Sequence, residues 1–137
     1  MSYTYPYPRP MLTADCVVVD SQNEVLLVQR GNEPYRGCWA LPGGFMEMDE
    51  TISCCAVREL REETGIKVME DDLSIVGVYS TPDRDPRGRT VTVAYLVHVP
   101  DGTVAAAGDD AAAVQWWPIE ALPPLAFDHA AIIADAV

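Results

Sequence analysis

The alternation of apolar and polar residues predicts that strands make up most of this chain. Residues 12–20 (LTADCVVVD) and 24–30 (EVLLVQR) have the apolar, β-branched composition of strands. The turn-like residues 21–23 lie between them and predict a hairpin. Residues 39–41 predict a short strand, which we expect Pro42-Gly43-Gly44 to end because proline and glycine interrupt strands.

The second half of the chain continues this pattern. Residues 73–80 (LSIVGVYS) and 90–99 (TVTVAYLVHV) predict two longer strands, and the polar residues 81–89 predict a loop between them. Residues 114–117 predict a further short strand, which Pro118 ends.

Two segments predict helices. The first covers residues 49–63, with Asp49 or Thr51 as its cap and Gly65 as its stop. The second covers residues 127–137. The apolar residues that we expect to face the core are Ile52, Cys55, Ala56, Leu60, Ile132 and Ile133. A strand-rich chain with one central and one terminal helix fits a mixed α/β sandwich.

Composition narrows the class of protein. A chain of 137 residues is expected to form one domain, over residues 1–137. The net charge of −12 argues against nucleic-acid binding, which requires a basic surface. We find no secretory signal and no run of transmembrane length, so we expect a cytoplasmic protein that does not bind membranes. The four cysteines lack zinc-site spacing and are expected to be small buried residues.

Three glutamates of the first predicted helix suggest chemistry. Glu59, Glu62 and Glu63 are spaced i, i+3 and i+4, which places them on one helical face. Carboxylates this close repel one another unless a cation neutralises them, and Mg²⁺ or Mn²⁺ prefers oxygen ligands. The alternative interpretation is a solvated acidic face.

The segment 44–66 (GFMEMDETISCCAVRELREETGI) resembles the Nudix box, the signature of hydrolases that cleave nucleoside diphosphates linked to another group. Every fixed position of that pattern is present: Gly44, Glu50, Arg58, Glu59, Leu60, Glu62, Glu63, Gly65 and Ile66. The resemblance implies a Nudix-type α/β/α sandwich with a mixed β-sheet. It also implies hydrolysis of a pyrophosphate bond with the help of divalent metal ions.

The glutamates are the expected metal ligands. Glu59 and Glu63, one helical turn apart, are our first choice, and Glu62 is the third. The family pattern implies the carbonyl of Gly43 as a further ligand. A Pro-Gly-Gly loop suits this role because no side chain crowds its backbone oxygens.

The remaining box residues are expected to support the site. Arg58 could hold glutamate carboxylates in place by bidentate pairing, and Glu50 could brace the turn into the helix. The resemblance implies a general base on a later acidic loop. Asp109 and Asp110 are the candidates here, with a solvated loop as the alternative interpretation and Glu59 as the alternative base.

The predicted loop over residues 81–89 suggests the substrate. Arg84, Arg87 and Arg89 lie within six positions, and an arginine cluster on a Pro/Gly loop suits a phosphate or ribose-phosphate. The alternative is a solvated loop whose charges cancel. Pro82 lies sixteen residues after the box, and a proline there marks the ADP-ribose pyrophosphatase subgroup among the proteins that this chain resembles.

Four further strings are similar to the compact ADP-ribose pyrophosphatases. They lie at residues 7–18, 80–92, 107–111 and 125–129. Arg89 is a departure from this resemblance, which implies histidine at that position in several relatives. The resemblance implies that the chain converts ADP-ribose and water to AMP and ribose 5-phosphate.

Aromatic residues are candidates for an adenine slot. Tyr5, Tyr7 and Phe127 could stack on the base, although such residues are more often core or dimer contacts. The resemblance suggests a homodimer, with the extended Tyr/Pro arm of the first ten residues and a sheet edge as possible contacts. His129 is expected to make local polar bonds.

Two other functions compete with this hypothesis. A nucleoside triphosphate or sugar-nucleotide pyrophosphatase shares the whole box. A non-catalytic module that senses ADP-ribose belongs to a different class, and the intact box argues against it.

Overall fold

A mixed sheet is built around strand β1 in the computed structural model, which describes residues 2–108 and 110–137. The strands of the sheet are β1 (Met11–Val19), β2 (Glu24–Arg30), β3 (Trp39–Ala40), β4 (Gly43–Phe45), β5 (Ser74–Tyr79), β6 (Thr90–His98) and β7 (Ala111–Pro118). The helices are α1 (Ile52–Thr64) and α2 (His129–Ala136), with short 3-10 turns at Glu70–Asp72 and Ile119–Ala121.

The strand order is β3-β2-β1-β6-β5, with β4 also paired to β1 and β7 also paired to β2. The pairing of β1 with β6 is parallel along its whole length, from Met11 opposite Thr90 to Val19 opposite His98. The other pairs are antiparallel. The central position of β1 explains why it is buried from Thr13 onward.

The predicted hairpin is confirmed only next to its turn. Val19 is paired with Val25, and the two strands then separate. The far part of this edge of β1 is occupied by β4, whose Gly43 pairs with Asp15. The short strand predicted over residues 39–41 does end before Pro42, as β3, but the sequence did not predict that Gly43 begins a new strand. Long-range pairing with β1 outweighs the low strand propensity of glycine there.

Helix α1 begins three residues later than predicted. Thr51 is its N-cap, and the Thr51 side chain accepts a hydrogen bond from the Cys54 backbone N–H at 3.2 Å. Gly65 ends the helix in the left-handed conformation, with φ 76°, and its N–H donates to the Arg61 carbonyl. The two signals that fix this helix were therefore readable in the sequence.

The two helices cover opposite faces of the sheet, which confirms the α/β sandwich. On β1, Cys16 and Val18 pack in the cluster that contains Leu60 of α1. Val17 and Val19 pack in the cluster that contains Ile132 of α2. The helices in the described ranges lack the length and hydrophobicity that crossing a bilayer requires.

All four cysteines have free thiols, and the expectation that they are buried is confirmed for two of them. Cys16 and Cys55 are buried, whereas Cys38 and Cys54 are half-buried. Burial raises the pKa of Cys55 to about 12, so its thiol is protonated at neutral pH.

Candidate active site

A cavity of about 470 Å³ opens where β1, β4 and α1 meet the loop over residues 81–89 and the segment before α2. Its lining combines acidic groups from α1 and β1 with arginines from the loop and from β2. An acidic face and a basic face therefore meet in this cavity.

Two of the three predicted metal-ligand glutamates line this cavity. Glu59 and Glu63 face it, whereas the side chain of Glu62 is 54% exposed and lies outside the described lining. The backbone of β4 passes directly over them. The Gly43 N–H donates to Glu63 Oε2 at 3.3 Å, and a Cβ on Gly44 would lie 2.5 to 2.7 Å from the Glu59 carboxyl group. A larger residue at Gly44 would displace the Glu59 carboxyl group from this position.

The environment of these carboxyl groups opposes negative charge. Burial raises the pKa of Glu63 to about 8, with repulsion from Glu59 and then from Asp15 and Asp110 adding to it. Burial also raises the pKa of Glu59, although Arg58 opposes the shift. A bound cation would offset the cost of ionising these buried carboxyl groups. The groups available as metal ligands are carboxylate oxygens, which hard divalent ions prefer. The residues present therefore fit a hard divalent ion.

The described residues do not converge on a preformed metal site. No cluster of three metal-binding side chains is found among residues 2–108 and 110–137. Glu59 and Glu62 instead both accept hydrogen bonds from Arg58 Nη1, at 2.8 and 3.1 Å.

Arg58 connects the carboxylates to the loop before the helix. Its Nε and Nη2 donate to the two Glu50 oxygens at 2.9 and 2.7 Å, and Nη2 also donates to the Phe45 carbonyl. These hydrogen bonds lower the pKa of Glu50 to about 2. Glu50 in turn accepts from the Glu47 N–H at 2.9 Å. The geometry is the bidentate support expected for Arg58 and the turn-bracing expected for Glu50.

The three arginines of the loop have different environments. Arg84 is buried and lines the cavity, where Asp128 holds it at 2.6 and 2.8 Å. Burial lowers the pKa of Arg84, but the hydrogen bonds to Asp128 outweigh this effect and raise it overall. Arg87 also lines the cavity and pairs with Asp85 at 2.7 Å. Arg89 donates to the Ser80 carbonyl at 2.7 Å and lies outside the described lining.

Pro82 and Tyr7 do not line the cavity in the part of the chain that the structure describes. Tyr7 is 77% exposed and lies in a separate apolar groove of about 820 Å³. The other residues of this groove include Tyr5, Met11, Leu12, Phe45 and Met48.

Phe127 is the one candidate for base stacking that borders the cavity. Arg30 and Arg87 lie over its ring, at 5.1 and 5.3 Å from the centroid, and Tyr35 contacts it edge-on at 4.9 Å. Arg87 also lies 4.9 Å from the centroid of Phe45. Aromatic and guanidinium planes therefore form one wall of the cavity.

Asp110, one of the two candidate bases, follows residues 106–108, which are attached to the end of α1. The Gly108 N–H donates to the Glu63 carbonyl and the Ala106 N–H to the Thr64 carbonyl, both at 2.9 Å. Asp110 lines the cavity. Asp109 lies outside the described residues.

Sequence reasoning missed Asp15, which lines this cavity, and Asp128, which pairs with the cavity residue Arg84. Asp15 is a buried carboxylate on β1, and Asp128 is the residue that anchors Arg84. The expectation of local bonds for His129 was wrong. Its Nδ1 accepts from the Leu41 N–H at 3.0 Å, 88 positions away in sequence, and its Nε2 lies 3.3 Å from Asp15. An aspartate within the apolar string LTADCVVV was the available signal for Asp15.

Comparison with known proteins identifies relatives over nearly the whole chain. A family model described as the NUDIX domain matches residues 9–136. The chain is also 43% identical over 129 residues to the ADP-ribose pyrophosphatase of Methanocaldococcus jannaschii. That alignment covers 94% of this chain and 74% of the relative.

Two solved structures have the same fold. The NUDIX domain of Shewanella oneidensis NrtR complexed with ADP ribose has a TM-score of 0.87 at 33% identity, covering 97% of this chain and 91% of that one. A bifunctional NMN adenylyltransferase/ADP ribose pyrophosphatase from Francisella tularensis, complexed with AMP and a manganese ion, has a TM-score of 0.83 at 34% identity. The match covers 95% of this chain but only 42% of the bifunctional protein.

Proposed function

Because this chain belongs to the Nudix hydrolase family, we propose that it cleaves the pyrophosphate bond of ADP-ribose to give AMP and ribose 5-phosphate. The observation that carries the proposal is one cavity that combines Glu59 and Glu63 with the arginines of the 81–89 loop. Further support comes from the pyrophosphatase relative and from the ADP-ribose complex of the structural neighbour.

The metal would be held by α1 and the strand above it. Glu59 and Glu63 are the proposed carboxylate ligands, with the Gly43 carbonyl as a backbone ligand and Glu62 at the outer side of the site. Mg²⁺ or Mn²⁺ would neutralise phosphate charge and activate a water molecule. The manganese ion in the Francisella structure supports a divalent ion in this family.

Side chains that line the cavity are proposed to bind the substrate and to accept a proton from the attacking water. Arg84 and Arg87 bind phosphate oxygens, because each guanidinium borders the cavity and can donate to more than one oxygen. Phe127 stacks on the adenine. Asp110 is the proposed base that accepts a proton from the attacking water, since it lines the cavity. We assign Arg89 to the support of the loop, because it donates to the Ser80 carbonyl and lies outside the described lining.

A substrate panel tests this proposal. ADP-ribose, nucleoside triphosphates and sugar nucleotides would be incubated separately with Mg²⁺ and with Mn²⁺, and the products separated by chromatography. We expect AMP and ribose 5-phosphate, with the highest kcat/KM for ADP-ribose. Pyrophosphate release from a triphosphate as the best reaction would contradict the substrate assignment. Binding of ADP-ribose without any turnover would identify a sensing module instead.

We further propose a homodimer that buries the apolar groove beside the Tyr/Pro arm. Tyr7 and Met48 are 77% and 75% exposed there, and such apolar patches commonly mark interfaces. Light scattering coupled to size exclusion is expected to give twice the chain mass. Replacing both residues by serine should shift the protein towards monomer, whereas a monomeric parent protein would contradict the proposal.

A further inference from the structure

Asp15 is a carboxylate buried in an apolar strand. It lies on β1 between Ala14 and Cys16, which are fully buried, and its own side chain is 9% exposed. Burying an ionised carboxylate is unfavourable unless its oxygens are paired. Asp15 also borders the cavity, so the fold places this unfavourable group at the proposed substrate site.

The ring of His129 lies beside the Asp15 carboxylate. The His129 Nδ1 atom accepts a hydrogen bond from the Leu41 N–H at 3.0 Å, which assigns the ring proton to Nε2. Nε2 lies 3.3 Å from Asp15 Oδ2. Asp15 Oδ1 lies against the backbone of Gly43, where any Cβ would overlap it. One carboxylate oxygen of Asp15 therefore lies beside His129, and the other lies beside the strand that covers Glu59 and Glu63.

Asp15 belongs to a polar floor of the cavity, which we define as the side chains of Thr13, Asp15, Arg84 and Thr92. Thr13 and Asp15 are two positions apart on β1 and share a face of the sheet. Thr92 is the register partner of Thr13 on β6, and their hydroxyl groups are hydrogen-bonded. Arg84 Nη1 donates to Thr92 Oγ1 at 2.7 Å. All four side chains line the cavity.

The two charged residues of this floor, Asp15 and Arg84, do not pair with each other. The ion-pair partner of Arg84 is Asp128, not Asp15. Within the described residues, three of the five Arg84 N–H groups donate hydrogen bonds, two to Asp128 and one to Thr92. The floor therefore combines a hydrogen-bond acceptor, the Asp15 carboxylate, with N–H donors of Arg84 that can bind a ligand.

This combination selects one kind of ligand. A carboxylate accepts hydrogen bonds from hydroxyl groups and repels phosphate, whereas a guanidinium binds phosphate. A sugar with free hydroxyl groups that is joined to a phosphate supplies both partners. An additional phosphate at the same place would meet the negative charge of Asp15.

We infer that Asp15 is a specificity-determining residue, which accepts a hydrogen bond from a sugar hydroxyl of the substrate and disfavours ligands with a phosphate at that position. The inference rests on the proposed pyrophosphatase function and adds a reason why a sugar-linked diphosphate is preferred over a triphosphate. His129 is the positioning residue that orients the carboxylate.

The test compares ADP-ribose with analogues that lack one hydroxyl group on either ribose, using the parent protein and Asp15→Asn at saturating Mg²⁺. For the parent protein, we expect kcat/KM for one analogue to be about 10- to 100-fold lower than for ADP-ribose, mainly because KM rises. This is the order expected for the loss of a charged hydrogen bond. Asp15→Asn should lower kcat/KM for ADP-ribose by a similar factor relative to the parent protein. For that analogue, the variant and the parent protein should have the same kcat/KM. The variant should also narrow the preference for ADP-ribose over ATP.

Asp20→Asn is the matched control. Asp20 is a carboxylate just beyond the far end of β1 that is 9% exposed and accepts from the Gln22 and Glu24 N–H groups, outside the cavity. It should leave the discrimination between analogues unchanged. His129→Ala should weaken the discrimination, and His129→Gln should restore part of it by keeping a donor towards Asp15.

Several results would overturn the inference. Asp15→Asn could retain the full discrimination against every deoxy analogue. It could instead change only the Mg²⁺ concentration for half-maximal activity, which would assign Asp15 to the cation site. A change in melting temperature alone would give Asp15 a structural role.

Calorimetric binding of the same ligands separates this inference from the proposed function, because it requires no turnover. A protein that binds ADP-ribose without hydrolysing it would contradict the proposed function, and weaker binding of one deoxy analogue would still support the role of Asp15. Equal affinity for all the analogues would overturn that role even in an active enzyme.

Discussion

Replacing Glu63 by glutamine is expected to lower kcat at least about 100-fold while the fold is retained. Glutamine has nearly the same shape but removes the negative charge of a proposed metal ligand. Burial already disfavours that charge in the absence of a cation, so the metal-free variant should melt at the same temperature as the parent protein or higher. The rate would be measured with ADP-ribose at saturating Mg²⁺.

A second readout follows the metal itself. The parent protein should gain thermal stability when Mg²⁺ or Mn²⁺ is added, because a ligand that binds only the folded state stabilises it. Glu63→Gln should lose most of this gain. Glu62→Gln is the informative comparison, since its side chain is exposed outside the described cavity lining, and its effect should be smaller. Full turnover by Glu63→Gln would contradict the ligand assignment.

Replacing Arg58 by methionine is expected to reduce both stability and turnover. The side chains of Arg58, Glu50 and Glu59 are 18%, 12% and 15% exposed, so removal of the guanidinium leaves two nearly buried carboxylates unpaired. Breaking a fully buried pair costs about 3–5 kcal/mol, and partial solvent access reduces the expected loss here to about 2–4 kcal/mol. Turnover should fall as well, because Glu59 loses the hydrogen bond that orients it.

Denaturant unfolding of Arg58→Met measures the first effect, and kcat measures the second. Arg61→Met is the control, because Arg61 is an exposed cation on the same helix. Its free energy of unfolding should change by no more than about 0.5 kcal/mol. Equal stability of the two variants would show that the Arg58 hydrogen bonds do not support the fold.

The sequence alone determined the parts of the protein that depend on local geometry. Thr51 and Gly65 bound a helix through contacts with residues three and four positions away, and those contacts are written in the spacing. The positions of Glu59, Glu62 and Glu63 on one turn follow from the same helical period. The apolar strings likewise predicted β5, β6 and β7 within a few residues of their bounds.

Tertiary structure decided which of these residues share a cavity. Glu62 belongs to the same helical turn as Glu59 and Glu63, yet its side chain is exposed outside the described lining while the other two face the cavity beneath β4. Among the three loop arginines, Arg84 is buried in the floor because Asp128, 44 positions away, pairs with it. Arg89 donates to Ser80 outside the cavity.

The pairings of β1 explain why the remainder could not be predicted from the sequence. A local turn favours the β1–β2 hairpin, but the folded chain pairs β1 along its full length with β6 and uses β4 on the opposite edge. The same long-range assembly brings His129 to Leu41 and Asp15. Local spacing fixes the face of a helix, whereas contacts between distant segments depend on how the whole core packs, and only the tertiary structure contains that information.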